Sequence, residues 1–166
     1  MSQSAPHQDD PAALSFLSLL DVHDRLDELF LRHQEAVLLL DVELSSSTLD
    51  AYERELVEHM HFEEDALFPI YERAMPIAGG GIDLFRNEHQ KLLRYVNGIR
   101  KSFENLRPRE PGGPARIIEL LDFEAKFKGL LKHHDLRERN ILYPVLDRVA
   151  SPDEMRALLS KPEGEA

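Results

Sequence analysis

The 166-residue chain contains no cysteine. That absence removes disulfide frameworks, thiolate zinc sites, iron–sulfur clusters and cysteine nucleophiles together, so any metal must be held by nitrogen and oxygen. Basic charge is also short: 20 Lys and Arg stand against 31 Asp and Glu, and a net charge of −11 repels the phosphates on which nucleic-acid affinity rests. No nucleic-acid partner is expected. No apolar run reaches a membrane-spanning length. The stretch Ala12 to Leu20 has neither the flanks nor the cleavage site of a signal peptide, so the expectation is a cytoplasmic protein without membrane contact. The motifs G-x-x-x-x-G-K-[ST], G-x-G-x-x-G and G-x-S-x-G are missing, which leaves nucleotide binding and serine hydrolysis without support.

Glycine and proline cluster in few places, chiefly PIAGGG (Pro76 to Gly81), where Gly79 to Gly81 reads as a linker, and PREPGGP (Pro108 to Pro114). Between them lie four long segments with apolar residues at alternating steps of three and four, the period of a helix with one buried seam. The seams read Phe16, Leu19, His23, Leu26, Phe30, His33, Val37, Leu40; then Leu49, Tyr52, Leu56, His59, Glu63, Ala66, Ile70. The third is Ile82, Phe85, His89, Leu92, Val96, Ile99, Phe103, and the fourth Ile117, Leu120, Glu124, Phe127, Leu131, His134, Glu138, Ile141, Val145.

Short connections favour antiparallel neighbours, so the pattern predicts an all-α, up-down-up-down antiparallel four-helix bundle. Ser47 or Thr48 is the predicted cap of the second helix, with Asp41 to Ser47 as loop; Asp83 falls in the first turn of the third. Pro69 cannot donate a backbone hydrogen bond and predicts an end or a kink there. Ser151-Pro152-Asp153-Glu154 reads as the cap and acidic first turn of a short C-terminal helix through about Leu159. The expected organisation is a mobile tail over 1–10, the bundle over 11–150, and the short helix with a tail over 151–166.

Histidine and glutamate are costly on buried seams unless something satisfies them. Here six of them fall at one level of the bundle: His23, His59, Glu63, His89, His134 and Glu138. His59 and Glu63 are four residues apart, as are His134 and Glu138, so each pair projects from one helical face with about 6 Å of rise between its members. Their surroundings repeat as well: His59-x3-Glu63-x3-Leu67-Phe68-Pro69 matches His134-x3-Glu138-x3-Leu142-Tyr143-Pro144 at every named offset. One H-x3-E means little, but two copies facing each other across a bundle point to a metal site. Four imidazoles and two carboxylates suit iron, manganese or zinc, bound as one ion or as two bridged by the carboxylates.

One histidine, then H-x3-E with Leu-Phe-Pro, then Glu88-His89, then H-x3-E with Ile-Leu-Tyr-Pro: over residues 14 to 149 this arrangement resembles the hemerythrin-like HHE cation-binding domains. The resemblance implies a non-haem centre of two iron ions, with zinc or manganese as alternatives, held by His23, His59, Glu63, His89, His134 and Glu138, with both glutamates bridging. It also implies a small-molecule ligand, oxygen, nitric oxide or peroxide, bound for sensing, storage or scavenging. Redox turnover of peroxide and an iron-storing or zinc-filled structural domain are the alternative readings. The chain departs from the oxygen-carrying members, which carry two histidines four apart on the third helix; here Phe85 and Leu93 flank His89 at that spacing.

Other polar residues are expected to lie outside the centre. His61 points about 200° and His133 about 100° away from the seams, His7 sits in the tail, and Glu64, Asp65, Glu88 and Asp135 read as solvated faces, with Glu88 or Asp135 available to orient an imidazole. His33 and Glu124 lie ten residues from His23 and His134, about 15 Å along the axis on the same side. With Tyr52 they form a second expected polar cluster, remote from the metals.

Overall fold

The computed structural model describes residues 14–74, 81–104, 106–107 and 109–160. A 3-10 turn (Phe16–Leu19) leads into α1 (Leu20–Leu38), followed by α2 (Val42–Phe62), α3 (Phe68–Glu72), α4 (Ile82–Glu104), α5 (Gly113–Arg137), α6 (Tyr143–Val149) and α7 (Pro152–Leu159). α2 and α3 are one rod joined by a π-turn (Glu63–Leu67), and α5 and α6 are one rod joined by a second (Glu138–Leu142). Four antiparallel rods and a short C-terminal helix result, with no strand among the described residues. The expected tail over 1–10, with His7, and most of the Pro76–Gly81 linker lie outside the described residues.

The first connection differs from expectation. α1 closes with the Leu40 amide on the Val37 carbonyl and the Asp41 amide on the Ala36 carbonyl, the doubly bonded ending that requires a left-handed residue between them. Leu40 takes that conformation at φ 59°, which turns its side chain off the seam to 38 % exposure. Asp41, rather than Ser47 or Thr48, then caps α2: its carboxylate accepts the Leu44 amide at 2.9 Å. The segment predicted as loop is therefore helix. Serines 46 and 47 and Thr48 are accommodated there because the Ser47 and Thr48 hydroxyls donate back to the Leu44 carbonyl.

Neither proline ends its rod. Each follows a π-turn that opens with a repeat glutamate, and the amides of Phe68 and Tyr143 reach back five residues to the carbonyls of Glu63 and Glu138. The wider turn removes the conflict between the proline ring and the carbonyl four residues earlier. It also adds a residue to the period. Ala66 and Ile141, placed on the seams by strict three–four stepping, are only half-buried, whereas Leu67, Phe68, Leu142 and Tyr143 are fully enclosed.

The apolar core comes in two blocks. One fills the half of the bundle around Phe30, Leu56, Val96, Ile99 and Phe127, and the other lies around Phe16, Phe68, Tyr71, Phe85, Tyr143 and Leu146. Between them lies the layer of histidine and glutamate. The N-terminal end of the second block is tied down by Asp147, which accepts the Ser15 hydroxyl at 2.7 Å and the Phe16 amide at 2.8 Å. α7 is held by its predicted cap, a reciprocal Ser151–Glu154 box, and by the paired contact of Arg73 with Glu154 at 2.9 Å.

A left-handed conformation costs a leucine about 1 kcal/mol relative to glycine at the same position. Leu40→Gly should therefore raise the melting temperature by about 2–4 °C. A lower melting temperature in thermal denaturation would contradict the assignment.

Candidate metal centre

Four rods bring the predicted residues to one level. His23 comes from α1 and His59 from the last turn of α2, Glu63 from the first π-turn, His89 from α4, His134 from the last turn of α5 and Glu138 from the second π-turn. Glu63 and Glu138 are completely enclosed, and no imidazole of the four exceeds 9 % exposure. Their donor atoms fall into two groups, Glu63 with His89, His134 and Glu138, and His23 with His59 and Glu138. Glu138 belongs to both. Its Oε1 lies 2.7 Å from His134 Nε2 and its Oε2 3.1 Å from His23 Nε2, the splayed arrangement of a carboxylate that can serve two ions. Glu63 Oε2 lies 3.3 Å from His89 Nε2, Glu63 Oε1 3.7 Å from His59 Nε2, and the Nε2 atoms of His23 and His59 are 3.0 Å apart.

Why the rings face inward is visible one residue away from each donor. Glu64 lies 2.7 Å from His89 Nδ1, Glu88 lies 3.1 Å from His134 Nδ1, and Asp135 lies 3.6 Å from His23 Nδ1. A carboxylate only accepts, so it keeps the proton on Nδ1 and leaves the Nε2 lone pair aimed at the centre. The α2–α3 rod thus orients the ring of α4, and α4 orients that of α5; Asp135 of α5 stands beside the His23 ring without a hydrogen bond to it. Arg137 pairs with the other oxygen of Glu88. Glu64 was expected on a solvated face and is instead the closest of these supports, whereas Asp65, His61 and His133 are exposed as expected.

This is a cage for positive charge. His89 Nε2, Glu63 Oε2 and both oxygens of Glu138 make no aligned hydrogen bond despite their short separations. Burial works against the charged form of His134, but Glu138, chiefly, and Glu63 outweigh it and raise its pKa to about 9. Burial likewise works to raise Glu138, yet His134 and His23 hold it well below the carboxylate range. Protons thus take the place that a cation would fill. The donor set, four neutral imidazole nitrogens and two carboxylates without sulfur, fits a borderline divalent or trivalent ion.

The profile of the hemerythrin HHE cation-binding domain matches residues 18–146. The chain belongs to that family. The match covers every residue of the cluster, and HHE domains bind metal cations. No curated protein and no solved structure gives a match.

Beside the centre lies a cavity of about 10 Å3 lined by His23, Leu26, Leu56, His59 and Leu131, with Asp27 and Asp135 towards solvent. It has room for one water-sized molecule. Two hollows of about 630 and 660 Å3 lie at the far end of the bundle, beside Val42, Glu43 and Arg107. They contain none of the donors.

The second polar cluster is also built, with different membership. His33 Nδ1 lies 2.7 Å from the Ser45 carbonyl and its Nε2 3.0 Å from Glu124 Oε1, both side chains fully enclosed, while Gln34 donates to Glu124 Oε2 at 2.8 Å. These contacts stitch α1 to α2 and α5. Tyr52 is buried against Phe30 and Phe127 nearby, but its hydroxyl bonds to neither His33 nor Glu124, and burial raises its pKa well above the usual value. Two residues escaped the sequence reading: Glu64, hidden in the acidic run Glu63-Glu64-Asp65, and Tyr143, whose hydroxyl donates to Glu63 Oε1 at 2.8 Å. The repeat carries the signal for the second, since Tyr143 stands where the other copy has Phe68.

Loss of an orienting carboxylate costs about 10–100-fold in metal affinity. Glu64→Ala should weaken metal binding by that factor in a competitive chelator titration, with Asp65→Ala unchanged. Equal effects would show that Glu64 does not act through His89.

Proposed function

We propose that His23, His59, Glu63, His89, His134 and Glu138 hold two iron ions, one in each donor group, with Glu138 shared between them. The observation that carries this reading is the convergence of inward-facing donor atoms in a buried layer, four of whose six residues come from a doubled H-x3-E. Two imidazole rings held by carboxylates favour a cation at the site, because rotation of either ring would leave a buried Nδ1 proton unsatisfied. Iron is favoured over zinc by the family's chemistry and by a donor set compatible with both its oxidation states. Two bound irons would supply open coordination positions and one-electron redox capacity at each metal.

The residues around the second group decide what reaches it. The exogenous ligand takes the position of His23, His59 and Glu138, because the adjoining cavity is lined by two of these residues. The adjoining cavity, with room for one water-sized molecule, restricts that ligand to a diatomic or peroxide. Leu26, Leu56 and Leu131 keep bulk water from the site. Asp27 and Asp135 give the approach a negative charge, which favours neutral oxygen or nitric oxide over anions. The protein is therefore read as a sensor, store or scavenger of a small neutral gas or of peroxide, acting in the cytoplasm. No helix of the described residues is long and apolar enough to cross a membrane.

Anaerobic loading with ferrous iron, followed by addition of oxygen or nitric oxide, tests the reading. Two irons per chain and a spectral change that reverses on removal of the gas are the expected outcome. Sustained peroxide consumption without a reversible gas complex would replace this reading with that of an enzyme.

A further inference from the structure

The two copies of the repeat differ at one buried position. Nine residues after His59 stands Phe68, whose ring lies against His89 at 5.8 Å and 22°; nine residues after His134 stands Tyr143. Both are fully enclosed. A phenol in place of a phenyl puts one extra oxygen into the donor layer, on the side of the three-donor group. That oxygen lies 2.8 Å from Glu63 Oε1 and 3.5 Å from His23 Nε2. Metal–nitrogen and metal–oxygen bonds of about 2.0–2.2 Å place neighbouring donors about 3–3.5 Å apart, the range spanned here by His23 to His59, His23 to Glu138 and His23 to Tyr143.

We infer that the Tyr143 oxygen is the fourth protein donor of the His23, His59 and Glu138 position, a tyrosine ligand that offsets the histidine lacking from the third helix. The inference rests on the two-metal reading given above. Phe85 and Leu93, the residues one helical turn on either side of His89, offer no donor atom, so the shortfall is real. The hydrogen bond to Glu63 holds the phenol in the layer before any ion arrives. When a ferric ion binds, the iron–oxygen bond replaces the O–H bond and the proton leaves to solvent, as metal binding to protonated ligands requires. An anionic oxygen donor stabilises the ferric over the ferrous state, so Tyr143 also biases this position towards oxidised iron.

The test is the spectrum of protein loaded with ferrous iron and then oxidised by oxygen. Ferric iron bound by a phenolate gives a visible charge-transfer band and phenolate modes in the resonance Raman spectrum, signals that histidine and carboxylate donors do not produce. The wild type should show both, Tyr143→Phe should lose both and retain less of its second iron, and Tyr52→Phe should keep them. Two bound irons without phenolate modes in the wild type would overturn the inference while leaving the two-metal reading intact. Phenolate modes that persist in a folded Tyr143→Phe protein would also overturn it. Failure to bind iron at all would remove both. If Tyr143→Phe does not fold, the wild-type Raman spectrum decides alone.

Discussion

Two carboxylates with no solvent exposure face four imidazoles at 2.7 to 3.7 Å, and the bundle depends on what neutralises them. An uncompensated buried charge costs several kcal/mol, comparable with the net stability of a domain of this size. In the absence of metal the layer draws protons: His134 is raised to about 9 and Glu138 is held ionised beside it. A cation satisfies the same demand with more charge and better geometry. The centre therefore separates the two apolar blocks and couples them, since every rod contributes a donor and two of the four contribute the carboxylate that orients a neighbour's ring.

The π-turns turn the repeat into a scaffold. Each begins at a repeat glutamate, directly after the helix that carries its histidine, and each is followed by proline at the same offset. A π-turn loosens the backbone at the residue that has to reach between two sites, and the proline keeps the loosened turn from closing into a regular helix. The doubled sequence thus produces an approximate two-fold arrangement, broken at Phe68 and Tyr143. This break sets the two donor groups apart: the phenol stands beside His23 of the second, and the second adjoins the small cavity lined by Asp27 and Asp135.

Much of this was legible from residue spacing. The four seams and the Ser151 cap followed from periodicity and local chemistry, because each depends on contacts a few residues apart, and the level shared by His23, His59, Glu63, His89, His134 and Glu138 followed from the short connections that set antiparallel helices side by side. What escaped depended on backbone states that leave no mark in a hydrophobic pattern. Leu40 in the left-handed region looks like one more apolar residue of a seam, yet it lets Asp41 start α2 six residues early. An added residue in a π-turn is invisible when both candidates for burial, Leu67 and Phe68, are apolar. Glu64 was hidden by neighbours of the same charge; its role is set by α4, a rod from a distant part of the chain. His33 and Glu124 pair as their heights required, but Tyr52 shares the level without sharing the bond, which depends on ring direction rather than on rise along the helix.

The central claim is that these six side chains cage two cations. Anomalous scattering from crystals of the iron-loaded protein, collected on both sides of the iron absorption edge, tests it most directly. The account predicts two iron peaks, one among Glu63, His89, His134 and Glu138 and the other among His23, His59 and Glu138. Peaks outside this layer, or a layer filled only by water and protons in iron-loaded crystals, would contradict it.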